Sequence, residues 1–310
     1  MAIKTVSEKG LVLLGCGKMG SAMLQGWLAD GLSPSSVHVL DPFPSQWVLE
    51  LEGKGLNLNK TLPQEPAVCI IAVKPKMMGE ALPSLEVIAK SDTIFLSIAA
   101  GTSIASFQSI LGDNCKIVRA MPNTPAAIGQ GISALIGNNK TSSEDVELCE
   151  TLLKAVGDTV VLEIEEQMDA VTAVSGSGPA YVFHFIETLA AAGLAQGLSP
   201  NLAMTLAKKT VAGAGALAFQ SEETPEQLRI NVTSPGGTTQ AALEVLMNKE
   251  TGFPKILLEG VSSAANRSKE LGKSLVKFHL MILWLSISAL EKLPELSRFL
   301  KQENPHINSG

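Results

Sequence analysis

Short, wholly apolar runs alternate with stretches of helical spacing through the first half of the chain. Leu11-Val12-Leu13-Leu14, Val37-His38-Val39-Leu40, the apolar runs at 68–73 and 93–98, Ile117-Val118-Arg119-Ala120 and Ser133-Ala134-Leu135-Ile136 each predict a strand. A helical pattern at 21–29 separates the first two. Strands apolar on both faces, with helices between them, predict a mostly parallel sheet covered on both sides.

From about Glu166 the pattern changes. Ala- and Leu-rich text with helical periodicity predicts helices at 181–196, 200–219, 225–232, 239–248 and 254–271. Pro200, Pro225 and Pro254 fall at helix starts, where a missing N–H costs least. The small-residue run Val211-Ala212-Gly213-Ala214-Gly215-Ala216 permits close helix approach and predicts a buried helix, with another subunit as one candidate cover. There are no internal repeats. Residues 273–310 depart from this pattern, with a nearly all-apolar run from Phe278 that gives way to charged, polar text. That run is about 13 residues to Leu290, short of the ~20 that span a bilayer, so it predicts an extra core or interface helix in an atypical extension rather than an anchor.

Composition narrows the function. The 310 residues are 45% hydrophobic and 17% charged, as expected of a packed two-domain protein. A net charge of −6 excludes a general nucleic-acid footprint. Cys16, Cys69, Cys115 and Cys149 form no C-x-x-C pair, and the N-terminal text has no secretory pattern, so reduced thiols in a cytoplasm are expected. His38, His184, His279 and His306 lack metal-ligand spacing, so no metal is expected.

Gly15-Cys16-Gly17-Lys18-Met19-Gly20 follows the first strand and opens a helix. In that setting a G-x-G-x-x-G pattern binds a dinucleotide: the first glycine makes the turn, the second admits the pyrophosphate, and the third lets helix and strand pack. Asp41 ends the second strand, where an acid holds the ribose hydroxyls of NAD and repels a 2′-phosphate. Ala72, Val73, Lys74 and Pro75 close one later strand, and Ala99 and Gly101 close another; ligands bind at such strand ends. The Lys74 side chain itself is expected to be solvated. The stiff turn Met121-Pro122-Asn123-Thr124-Pro125 either supports a nicotinamide through Asn123 or crosses the surface.

Far downstream, Ser234-Pro235-Gly236-Gly237-Thr238-Thr239 precedes a helix. Two glycines and two hydroxyls at a helix start make either an anion trap or a capped turn. A second glycine loop in a chain that already has one favours the trap.

These motifs together resemble pyrroline-5-carboxylate reductase. The quoted pieces run in that family's order: 15–20, Ala-Val-Lys-Pro at 72–75, Arg-Ala-Met-Pro-Asn-Thr-Pro at 119–125, Ser-Gly-Ser-Gly-Pro-Ala-Tyr at 175–181 and Ser-Pro-Gly-Gly-Thr-Thr at 234–239. The resemblance implies an α/β fold, with a Rossmann-type NAD(P)-binding domain at 8–165 and an all-helical substrate and dimerisation domain at 166–272. It implies reduction of 1-pyrroline-5-carboxylate to L-proline by NADPH or NADH, in a homodimer or larger homo-oligomer. It places the substrate carboxylate on the backbone of Gly236, Gly237 and Thr238 and makes Thr239 the hydroxyl at the ring nitrogen. Ser177 and Glu222 are further substrate candidates by the same analogy. Asp41 is awkward for NADPH, and 273–310 runs past the family's usual end. The competing expectations are a β-hydroxyacid dehydrogenase or imine reductase, which would need an ionisable group such as Lys208 or Lys209 in the helical domain, and a catalytically silent dinucleotide sensor.

Overall fold

The structure, a computed structural model, describes residues 2–272, so the extension 273–310 lies outside the described residues. Eight strands form one sheet in the order β3-β2-β1-β4-β5-β6-β7-β8. They are β1 (Leu11–Leu14), β2 (Val37–Leu40), β3 (Asn57–Leu58), β4 (Val68–Ile71), β5 (Ile94–Ser97), β6 (Lys116–Met121), β7 (Gly131–Gly137) and β8 (Gly157–Val161). All neighbours pair in parallel except β6 and β7, which run antiparallel.

Both faces are covered, as wholly apolar strands require. Leu11 and Leu13 face a core with Met23, Leu24 and Trp27 from the Lys18–Ala29 helix, while Val12 and Leu14 face another with Leu82, Phe95 and Phe107. Successive side chains point to opposite sides of a strand, so one four-residue run anchors two helical layers. Trp27 Nε1 donates to the Leu152 carbonyl at 2.8 Å and ties that first helix to Ser143–Lys154. The Ser143–Lys154 helix starts on a reciprocal capping box between Ser142 and Asp145.

After β8 the chain is helical. Among the described residues its main elements are Gly178–Ala195, Pro200–Gln220, Pro225–Asn231, Thr238–Leu246 and a helix over residues 253–272. The pair Gly178–Ala195 and Pro200–Gln220 packs through Ala190, Ala203 and Ala207. The expected burial of the 211–216 run does not hold within one chain: Ala212 to Ala216 are exposed. This part folds around too few elements to cover its own apolar faces, and Phe183, Leu206, Leu217 and Phe219 stand in solvent.

The two parts meet through specific bonds. Arg119 Nη1 donates to Glu165 Oε1 at 2.7 Å, and the same oxygen accepts from the Ile104 N–H at 2.9 Å. Within the helical part itself, Ser268 Oγ donates to Asp169 Oδ1 at 2.6 Å. Asn123 Nδ2 donates to Ser175 Oγ at 3.3 Å, inside a π-helical turn at Thr172–Gly176.

Candidate active site

The sheet order reverses at β1, with β2 on one side and β4 on the other. Leu14, Leu40 and Ile71 are in register, so three strand ends deliver their loops to one edge, the ligand crevice of a doubly wound sheet. The Gly15 N–H donates to the Leu40 carbonyl and the Ala72 N–H to the Leu14 carbonyl, each at 2.8 Å.

The three loop glycines have separate reasons. Gly15 sits at φ +87°, and a Cβ there would lie 2.8 Å from Val73 Cγ1 and 3.1 Å from the Ala72 oxygen. A Cβ on Gly20 would lie 2.5 Å from the Gly15 oxygen. Gly17 alone opens on space, with nothing within 4 Å of a Cβ built there. Turn and packing therefore demand the outer two, and the middle one leaves room for a ligand to approach the backbone. Gly17 is also the N-cap of Lys18–Ala29, and no side chain caps that helix. Its first-turn N–H groups have no intrahelical partner and carry the positive end of the dipole. These residues fit a dinucleotide pyrophosphate.

Around this cradle, Lys18 is exposed and Met19 half-buried against the core. Burial pushes the Cys16 thiol up, and its side chain packs in the core beside the helix. Ala72 and Val73 are half-buried, Pro75 opens a short 3-10 turn, and Lys74 is exposed as expected. Ala99 is buried and its N–H donates to Ser97 Oγ at 3.2 Å. Gly101, at φ +70°, is buried, and a Cβ on it would lie 3.1 Å from Leu271 Cβ. The helix over residues 253–272 thus reaches the strand-end edge at Gly101. Asn123 is half-buried: its oxygen accepts from the Ile132 N–H at 3.0 Å while its amide reaches Ser175. Side by side with that bond, a Cβ on Gly176 would collide with Met121 Cε, so the 119–125 turn is seated directly on the Ser-Gly-Ser-Gly-Pro segment.

The second glycine loop is a tight turn. Gly236 adopts φ +71°, and the Gly237 N–H donates to the Ser234 carbonyl at 3.0 Å. Gly237 is the N-cap of Thr238–Leu246, with no side-chain cap, so the threonines are the first two helical residues rather than caps. The Gly236 N–H is held by Gln240 Oε1 at 2.7 Å. Of the three predicted carboxylate contacts, Gly236 and Gly237 already donate within the protein, which leaves Thr238, whose N–H, like that of Thr239, has no intrahelical partner in the first turn. Ser177 starts the Gly178–Ala195 helix and its N–H donates to the Thr172 carbonyl at 2.8 Å. Glu222 is exposed in a bend, whereas its neighbour Glu223 accepts from Asn231 Nδ2 at 3.1 Å. Lys208 and Lys209 are exposed. Among the described residues no hydrogen bond joins the 15–20 loop to the 234–239 loop, and no group of three or more His, Cys, Asp or Glu is placed to hold a metal.

Three participants escape the sequence patterns: Glu165, Gln240 and Asn59, whose side chain bonds the Asp41 backbone. Gln240 alone leaves a signal, as a Gln three residues beyond the N-cap Gly237.

A glycine cradle at the switch point of a doubly wound sheet, followed by a helical domain with its own uncapped helix start, defines a dinucleotide-dependent oxidoreductase. Comparison with known proteins narrows the class. Residues 165–271 match the family model for pyrroline-5-carboxylate reductase dimerisation, and residues 10–101 match that of coenzyme F420-dependent NADP oxidoreductase. The chain is 36% identical over 273 residues to a pyrroline-5-carboxylate reductase of Pseudomonas aeruginosa, covering 87% of this chain and 99% of the relative. Among solved structures, a pyrroline-5-carboxylate reductase from Coxiella burnetii superposes with a TM-score of 0.78 at 31% identity, over 85% of this chain and 98% of the other. Another, a Plasmodium falciparum pyrroline carboxylate reductase with NADP bound, gives 0.74 at 30% identity over 86% and 99%. The chain belongs to the pyrroline-5-carboxylate reductase family.

Proposed function

We propose that the chain reduces 1-pyrroline-5-carboxylate to L-proline, the last step of proline biosynthesis, with the 15–20 loop as the cofactor half of the site and the 234–239 loop as the substrate half. The observation that carries this division is that the helix starts at Gly17 and Gly237, two of several without a side-chain cap, are each themselves glycine N-caps. An uncapped helix N-terminus is an anion site, and a dinucleotide and an amino-acid carboxylate are both anions. The division assigns residues 8–165 to the cofactor and 166–272 to substrate and subunit pairing.

NAD(P)H, when bound, supplies the hydride. The protein's part is to hold an anionic cyclic imine and manage one proton at its nitrogen. The free N–H groups of Thr238 and Thr239 bind the carboxylate, joined by those of Gly236 and Gly237 if their present partners give way. Thr239 Oγ lies at the same helix start. Its hydroxyl donates to the neutral imine nitrogen, or accepts from the protonated one, and so orients the ring. A threonine hydroxyl is far too weak an acid to act alone at neutral pH, so the net proton comes from solvent. Ser177 and Glu222 are secondary contacts in this scheme. Thr239→Ala is expected to lower kcat for the cyclic imine by about 10- to 100-fold, the range of a lost positioning hydrogen bond, with dinucleotide affinity unchanged. Undiminished kcat in a steady-state assay of nicotinamide oxidation removes Thr239 from this role.

The exposed apolar faces of Gly178–Ala195 and Pro200–Gln220 support pairing with a second copy. A monomer in sedimentation at micromolar concentration would contradict that. Four cysteines, all free and buried, support a reducing cytoplasmic setting.

A further inference from the structure

Asp41 is clamped from four directions. Its N–H donates to Asn59 Oδ1 at 2.9 Å and its carbonyl accepts from Asn59 Nδ2 at 2.8 Å. Its carboxylate accepts from the Cys16 N–H at 2.7 Å through Oδ2 and from the Phe43 N–H at 2.8 Å through Oδ1. Asn59 holds its end of the clamp at φ +49°, a left-handed conformation that asparagine tolerates better than most residues. The acid is thus pinned at the end of β2 and bonded directly to the glycine loop, 25 residues away in sequence.

A carboxylate has about four acceptor positions on two oxygens; the Cys16 N–H takes one on Oδ2 and the Phe43 N–H one on Oδ1. Each oxygen keeps one for an outside donor. Two acceptors at the ribose end of a glycine cradle suit a vicinal diol, which brings two O–H donors. A 2′-phosphate brings only acceptors and up to two negative charges, and it needs basic side chains instead. The chain supplies few. Its first arginine is Arg119, which is buried and paired with Glu165. Lys60, next to Asn59, lies 4.0 Å from Glu52. Among the described residues, Asp41 makes no ion pair that would offset its charge.

We propose that Asp41 is the specificity-determining residue for the dinucleotide and that it makes NADH, not NADPH, the preferred hydride donor of this chain. The inference rests on the dinucleotide site proposed above. It sets this chain apart from the relative whose structure holds NADP.

The test is an equilibrium measurement on the full chain: dissociation constants for NADH and NADPH from nicotinamide fluorescence, alongside kcat/KM with each cofactor and the cyclic imine. The wild type is expected to bind NADH at least about tenfold more tightly, the scale of a close like-charge contact near the surface. Asp41→Ser, with the two-oxygen carboxylate and its charge removed, should lose NADH affinity and bring the two constants within about threefold. Asp41→Asn keeps one acceptor and the side-chain shape, so it should weaken NADH less while relieving the repulsion of NADPH. Equal or tighter NADPH binding by the wild type overturns the proposal, and that ratio needs no variant to fold. Binding of neither cofactor overturns the dinucleotide site itself, and the proposal with it. Tight NADH binding without imine reduction overturns the substrate assignment and leaves the preference standing.

Discussion

One carboxylate oxygen at the end of the sheet domain offers a quantitative check on how the segment leading into the helical domain is anchored. Glu165 Oε1 accepts from Arg119 Nη1 and from the Ile104 N–H. The Arg119 side chain is 7% exposed and that of Glu165 28%. Glu165→Ala strands a buried guanidinium and removes an acceptor from the start of the Ile104–Leu111 helix. Breaking a buried pair costs about 3–5 kcal/mol; water reaches the Glu165 side, so about 3 kcal/mol is the expected loss. For a chain of this size that lowers the melting temperature by roughly 6–10 °C. Glu165→Gln keeps an oxygen acceptor and gives up only the charge, so it should cost about half as much. The double change Arg119→Met with Glu165→Leu removes the orphaned charge together with its partner and should melt above Glu165→Ala. Calorimetry or circular dichroism on the four proteins decides the matter. If Glu165→Ala melts within about one degree of wild type, or if the double variant melts below Glu165→Ala, the pair does not hold the junction.

The two glycines of the cofactor loop should separate structure from ligand access. Gly15→Ala, at φ +87° against Val73, should lose about 1–3 kcal/mol of stability, whereas Gly17→Ala, which meets nothing within 4 Å, should melt like wild type yet bind dinucleotide at least about tenfold more weakly. Equal effects of the two on melting would undo that distinction. Lys116 gives a pH signature: the hydrogen bond it donates to Asp92, then that to Asp145, holds its pKa above the ordinary lysine value against the opposing effect of partial burial. A raised folded pKa contributes stability that is complete below the unfolded pKa and fades as pH climbs through the folded one. The melting gap between wild type and Lys116→Met should therefore hold steady through neutral and mildly alkaline pH and close in strong alkali; a gap indifferent to pH would show that the charge contributes nothing.

The legible parts of this protein are those with local causes. β1 and β4 are visible as uninterrupted apolar runs because both of their faces are buried. The helices at Pro200–Gln220 and Pro225–Asn231 announce themselves through proline at the first helical residue, and their observed ends fall within a residue or so of expectation. β8 leaves no such trace: Gly-Asp-Thr-Val-Val carries Val160 and Val161 exposed, so burial imposes no pattern on it. Ser143–Lys154 is hard to see although its capping box is written in Ser142 and Asp145, because its surface is too charged for a strong apolar stripe. The 211–216 run misleads in the opposite sense, since small apolar residues suggest burial but say nothing of whether this chain or another provides it.

The candidate site divides along the same line. The two glycine loops, the strand before the first and the helix after each can all be read from the chain directly, because turn geometry and helix starts depend on residues a few positions apart. What those loops can do depends on the assembled fold. There Gly17 opens on space while Gly15 and Gly20 do not, Gln240 already occupies the Gly236 N–H, and Asp41 reaches back across β1 and β2 to the Cys16 N–H. The fold also turns β7 against β6 and brings Glu165 onto Arg119, 46 positions away. A hydrogen bond depends on a few tenths of an ångström and on direction, and those are set by which strands lie side by side, a choice made by the packing of the whole sheet and not by any one stretch of chain.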